Sequence, residues 1–379
     1  MALGQTSGMD ILPDLPGARP LKGRGAVSNA TGRHEREQRV RVDDGWGPAG
    51  AGEGDASVPE TAKTRTKILV DATRTAITRN TSPDIPFDRS INPYRGCEHG
   101  CIYCYARPSH AWLGLSPGLD FETRILAKPN APELLARELA RKSYKPRPIA
   151  LGTNTDPYQP IERRLKITRG ILEVLARCDH PLTVVTKSDG PLRDIDILAP
   201  MAARNLVRVF ISVTTQEPEL ARRLEPRAAS PGKRIAAIAE LNAAGIPTGV
   251  MVAPVIPALT DHEMDAILEA AAAAGAREAG HILLRLPLEV KELFEEWLRA
   301  HYPDTADRVL NLVRETRGGA LNDPRFGTRM RGEGVYAGLI KRRFEIAVRR
   351  LGLALEDLSA LDTSRFRAPG SETRQLDLF

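Results

Sequence analysis

Cys97-Glu98-His99-Gly100-Cys101-Ile102-Tyr103-Cys104 places three of the chain's four cysteines within eight residues. Three thiolates separated by three and then two residues can converge on one centre from a single loop, and Gly96 and Gly100 let that loop turn tightly. Thiolates are the ligands of iron–sulfur clusters and of many zinc sites. A structural zinc site wants four ligands, and with no fourth cysteine nearby only His99 or His110 could complete one. A [4Fe–4S] cluster held by three cysteines keeps one iron open for a substrate or cofactor. Four cysteines in 379 residues are too few for a disulfide scaffold, and their clustering suits a reducing compartment.

Outward from this loop, short apolar runs alternate with amphipathic stretches. Buried strands are expected just before Cys97 and at Ile149–Gly152, Leu182–Thr186, Val207–Val213, Thr248–Val252 and Ile282–Leu286. Helical patterns fall between them, at Ile167–Arg177, Ile195–Arg204, Lys233–Ala244 and His262–Ala274. Another opens at Asn130-Ala131-Pro132-Glu133, which offers an N-cap, an early proline and a glutamate before Leu134, Leu135 and Leu139. Runs this short, in this alternation, predict an α/β fold of βαβ units around a parallel sheet. Six units make a partial, open (β/α)6 TIM-like barrel, short of the full eight. Beyond Pro287 the strands stop, and Val290–His301, Thr305–Arg314 and Val335–Leu351 read as helices.

The spacing CxxxCxxC, with an aromatic before the third cysteine, resembles the signature of the radical S-adenosylmethionine (radical SAM) enzymes. The resemblance extends over about Ile91 to Pro287 and is nearest to the spore photoproduct lyase branch. It implies that Cys97, Cys101 and Cys104 hold three irons of a [4Fe–4S] cluster whose fourth iron binds S-adenosylmethionine. The reduced cluster would cleave that cofactor to methionine and a 5′-deoxyadenosyl radical, with an electron donor such as flavodoxin or ferredoxin upstream. Tyr103 matches the aromatic that contacts adenine, and Thr155, Lys187 and Ser212 match cofactor-binding positions at C-terminal strand ends. Plainer readings stand beside these: packing for Tyr103, a surface cation for Lys187, backbone satisfaction at loop starts for Thr155 and Ser212. Asp156, Tyr158 and Glu162 either face the site or brace a rigid turn, and Glu225 with Arg227 is a further candidate pair or an exposed ion pair. One departure matters. The branch carries a hydrogen-donor cysteine at the position of Thr153, so thymine-dimer repair is not carried over. The fourth cysteine, Cys178, sits at a predicted helix end and reads as packing.

The flanks are different in kind. Residues 1–80 are rich in Gly, Pro, Ala and charge, and read as a mostly disordered or loosely attached arm whose last part, Thr66 to Thr78, meets the core. The expected layout is this arm, a core over 85–290, a helical region over 291–355, and a flexible tail over 356–379. No signal peptide pattern opens the chain, and the apolar stretch around Ala266–Ala276 is too short to cross a membrane, so a cytoplasmic protein is expected. Composition is globular: 42% hydrophobic and 27% charged, which excludes collagen and coiled coil. With 54 basic against 48 acidic residues the net charge is +6. Between Arg325 and Arg350, eight basic residues face two acidic ones, a face for phosphates or simply a solvated helix. The chain ends Gln375-Leu376-Asp377-Leu378-Phe379, which resembles the peptide that docks bacterial DNA-processing enzymes on the sliding clamp; the alternative is a tail folded back on the core. Three readings follow: a radical SAM enzyme acting on DNA, by lesion repair or base modification; the same chemistry on RNA, protein or a small molecule; or a non-catalytic iron–sulfur or zinc module.

Overall fold

Six parallel strands pair in chain order in the computed structural model, which describes residues 20–35, 65–355 and 361–370. They are β1 (Arg89–Ile91), β2 (Ile149–Leu151), β3 (Leu182–Thr186), β4 (Val207–Ser212), β5 (Thr248–Val255) and β6 (Glu278–Leu283). Ile91 stands opposite Leu151, Leu151 opposite Val184, and Val184 opposite Val209. Such strands are buried on both faces, which is why they read as near-continuous apolar runs. The crossovers carry α1 (Ala131–Leu139), α2 (Ile167–Arg177), α3 (Ile195–Ala202), α4 (Pro231–Ala243) and α5 (Met264–Ala273). On α2, Ile171, Leu172 and Leu175 are fully buried and bring one face of the helix to the sheet. The sheet stays open: β1 is flanked by antiparallel Ile77–Arg79 and β6 by a short parallel strand, Ala354–Leu355. The α/β, partial (β/α)6 expectation therefore stands.

Several local expectations need correction. The sixth strand runs over Glu278–Leu283, not Ile282–Leu286. Its start is polar, and Glu278 is held by Arg208 at 2.7 Å, whereas the carbonyls of Leu283 and Leu284 turn to the buried Arg317 guanidinium at 3.0 and 2.6 Å. Strands do not end at Pro287, because Ala354–Leu355 extends the sheet. Asn130 makes no side-chain cap; Pro132, in the first turn of α1, instead removes one N–H that would lack a partner.

A second core lies beyond the barrel. Helices α6 (Val290–His301) and α7 (Pro303–Glu315) bury Phe294, Trp297, Val309 and Leu310 against Ile102 and Tyr103 of the cysteine loop. The last helix, α8 (Gly334–Arg350), packs Ile340, Phe344 and Ala347 into the main core. The N-terminal stretch is not all arm. Residues 20–35 lie against this second core, with Ala26 fully buried, and Lys67–Val70 pairs with Arg124–Ala127 in a small separate sheet. The physical reason is local: Gly25 and Ala26 are small enough to approach the cysteine loop closely.

The basic stretch is mostly neutralised. Arg325, Arg329, Lys341, Arg343 and Arg350 each have a carboxylate partner, so five of its eight cations are engaged. The terminal pentapeptide lies outside the described residues. Among the described residues, no helix is long and apolar enough to cross a membrane.

Candidate functional site

The cysteine loop leaves β1 by way of Tyr94–Arg95, which pairs with Arg124–Ala127. Backbone bonds fold the loop on itself: Gly100 N donates to Cys97 O at 3.3 Å and Cys104 N to Cys101 O at 3.2 Å. Others anchor it, from Cys97 N to Phe121 O at 3.0 Å and from Ile102 N to Leu224 O at 3.1 Å. Gly100 has φ +68°, and a Cβ there would lie 2.7 Å from the Glu122 carboxylate, so glycine is required.

Arg107 is the loop's internal brace. It is fully buried and donates to the carbonyls of Gly100, Cys101, Pro117 and Gly118 at 2.9–3.0 Å. Its charge is balanced by Glu122, also fully buried, at 2.5 Å. The same carboxylate accepts the backbone N–H groups of Gly25 and Ala26 at 3.0 and 2.8 Å. Three distant segments are thus tied to one ion pair.

Cys97 and Cys101 are buried and Cys104 half-buried. Burial pushes all three thiols up, most strongly at Cys97 and Cys101. Thiols in such a place become thiolates when a bound metal supplies the positive charge. Among the described residues no group of three or more His, Cys, Asp or Glu closes around a single ion. A cubane presents its irons at separate corners, so its thiolate ligands stand farther apart than those of one ion. The all-sulfur donor set on one braced loop fits an iron–sulfur cluster.

Beside the loop, at the C-terminal ends of β3 and β4, lies a buried polar knot. Lys187 Nζ donates to Ser212 Oγ at 2.7 Å, Thr214 Oγ1 at 3.2 Å and Ala253 O at 2.9 Å. It also stands 3.2 Å from Glu225 Oε1 and 5.7 Å from the centre of the Tyr103 ring. The Tyr103 hydroxyl donates to Glu225, and Arg234 pairs with that carboxylate while donating to Ser212 O at 3.0 Å. Burial alone would raise the Glu225 carboxyl; Arg234 and Lys187 outweigh it and hold the group below its usual range.

Of the four residues matched to cofactor positions, the structure brings Tyr103, Lys187 and Ser212 together. Thr155 stands apart: its hydroxyl donates to Tyr94 O at 2.8 Å, a backbone link between the loops after β1 and β2. Asp156 reaches the site's edge, accepting from Thr186 Oγ1 and Lys187 N, each at 2.7 Å, with His99 Nδ1 3.3 Å away. Tyr158 and Glu162 are braces, bonded to Asp194 and to Tyr94, Thr168 and Arg193. The Glu225–Arg227 pairing does not form: Arg227 lies 3.0 Å from Glu98, and Glu225 takes Arg234. Arg234 carried a sequence signal, since Ala237, Ile238 and Leu241 place it on the buried face of α4. Cys178, 3% exposed between α2 and β3, packs at the other end of the barrel from the cysteine loop.

An open parallel barrel with a three-cysteine loop after its first strand defines one class of enzyme, and residues 91–271 match the radical SAM superfamily. The chain belongs to that superfamily, whose members use a [4Fe–4S] cluster and S-adenosylmethionine. An uncharacterized protein of Mycobacterium bovis is 40% identical over 232 residues, covering 61% of this chain and 68% of that one. One of Methanocaldococcus jannaschii is 32% identical over 173 residues, 46% of this chain and 62% of that protein. Among solved structures, a spore photoproduct lyase variant with bound AdoMet and dinucleoside spore photoproduct superposes with a TM-score of 0.53, at 16% identity, over 76% of this chain and 80% of that one. This last likeness is one of fold.

Proposed function

We propose that Cys97, Cys101 and Cys104 hold the cluster, that the knot around Lys187 receives S-adenosylmethionine, and that the substrate is DNA. The observation that carries the reading is the convergence of Tyr103, Lys187 and Ser212 beside the cysteine loop. When bound, the cluster and cofactor supply a 5′-deoxyadenosyl radical. The chain's own residues do the positioning: Lys187 pairs with a carboxylate, Ser212 offers a hydroxyl to an amine, and the Tyr103 ring stands beside a base. Glu225 and Arg234 fix Tyr103 and Lys187 in those places. The solved neighbour that binds a dinucleoside supports a nucleic-acid substrate, and the terminal Gln375–Phe379 peptide supports tethering to the sliding clamp in the cytoplasm.

The test is anaerobic. The reconstituted and reduced protein is given S-adenosylmethionine, and 5′-deoxyadenosine is quantified. Wild type is expected to form it and Cys101→Ala to form none. Equal formation by both would overturn the cysteine assignment. The tether is tested separately by clamp pull-down, which deletion of the last five residues should abolish.

A further inference from the structure

The barrel's open side is bridged by a strap. Met330 O accepts from Leu283 N at 3.0 Å at the end of β6, while Arg329 reaches Asp84 Oδ2 and Ser82 Oγ at 2.5 Å each, in the segment before β1. Gly327 N also donates to Asp84 at 2.7 Å. The strap therefore joins the two edges that strand pairing leaves apart.

Under it lies a cation that forms no ion pair among the described residues. Arg285, two residues past β6, has a buried Nε with no hydrogen-bond partner, and its Nη1 meets only the Met330 sulfur, at 3.3 Å. Burial and the neighbouring Arg329 charge lower its pKa, outweighing Tyr105 and Asp84. Buried charges are ordinarily paired, as the buried arginines Arg107 and Arg234 are with carboxylates and Arg317 is with carbonyls. Arg285 lies 5.4 Å from the centre of the Tyr105 ring, and Tyr105 directly follows the last cluster cysteine. The Tyr105 hydroxyl donates to Thr153 O, beyond β2, which stretches the ring across the mouth. On the strap, Phe326 is 60% exposed, with Arg329 4.5 Å from its ring centre. Arg285 thus stands beside one exposed ring, Tyr105, and against the strap that carries a second, Phe326.

We infer that Arg285 binds a backbone phosphate of single-stranded nucleic acid at the barrel mouth, with Tyr105 and Phe326 as stacking platforms for the adjoining bases. A guanidinium forks onto phosphate oxygens, and exposed rings stack bases without regard to sequence. Arg329 is already committed to Asp84, which leaves Arg285 as the anion ligand. The inference rests on the nucleic-acid reading above and adds the residues that do the holding.

The test needs no cluster chemistry. Fluorescein-labelled single-stranded DNA of about 12 nucleotides is titrated with the full chain, followed by anisotropy at several salt concentrations. Arg285→Gln should weaken binding about tenfold and reduce the salt slope by about one, while Arg285→Lys retains the slope. Phe326→Ala should weaken binding to this strand but not to an abasic strand of equal length. Thermal melting of each variant checks that it folds. Wild-type binding that Arg285→Gln leaves unchanged overturns the inference and spares the DNA reading. No binding by wild type overturns both.

Discussion

The Arg107–Glu122 pair shows how one residue can govern the cysteine loop from outside it. Both side chains are fully buried, and each satisfies backbone groups as well as the other's charge. Removing one partner strands the other. Glu122→Gln should destabilise the protein by about 3–5 kcal/mol, read from denaturant unfolding, because Arg107 would keep its charge in an apolar place. A cost under about 1 kcal/mol would show that the carbonyls around Arg107 suffice alone. Gly25 is the companion case. A Cβ there would stand 1.8 Å from Gly100 O, a backbone atom that cannot swing aside. Gly25→Ala must therefore push residues 20–35 off the loop, detected as faster amide exchange at Ala26 and Val27.

At the level of elements, the strap makes the clearest prediction. Asp84 receives both Gly327 N and Arg329, so Asp84→Asn should raise amide exchange across residues 325–330 while the barrel strands keep their protection. Unchanged exchange would mean that Leu283 and the Asp323–Arg325 contact hold the strap unaided. This bridge was not legible in the sequence: partners more than 240 positions apart leave no periodicity to read. The parallel strands were legible, because burial on both faces writes them as apolar runs, and Leu182–Thr186 was bounded correctly for that reason. Strand β6 was misplaced because Glu278, Gly280 and His281 interrupt such a run. The cysteine loop was read from spacing alone. Around it, the family resemblance named Lys187 and Ser212, both at strand ends, but the sequence paired Glu225 with the wrong arginine. Sequence proximity favoured Arg227, whereas the fold turns α4 so that Arg234 faces inward. The ion pairs of the basic stretch were not legible for a related reason, since its acidic partners Asp84, Asp265 and Glu269 lie on elements far away in the chain.

The whole molecule carries a pH dependence that its burial pattern dictates. His180 is fully buried before β3, where Tyr144 OH lies 2.7 Å from Nε2, Pro181 O lies 2.9 Å from Nδ1, and Phe366 packs edge-on. Burial, reinforced by the Arg89 charge, lowers its pKa to about 4. His281, on β6 against the Phe344 ring, is likewise lowered to about 4 by burial and by Arg331 and Lys341, which outweigh Glu345. An unfolded histidine titrates near its ordinary value of about 6.5. Between that value and about 4, the unfolded chain therefore binds more protons than the folded one. Stability must then rise with pH through this window, and acidification from neutrality must erode it by up to about 3 kcal/mol per imidazole. The depressed carboxylates Glu225 and Asp156 act in the same direction but lower, since their contribution is lost only as pH falls through the carboxylate range. The two sources separate on this basis. Denaturant unfolding at pH 7 and pH 5 should show a loss that His180→Gln, neutral at both values, visibly reduces. The same loss in wild type and variant would place the titrating groups elsewhere, and His281→Gln would then be the next variant to decide it.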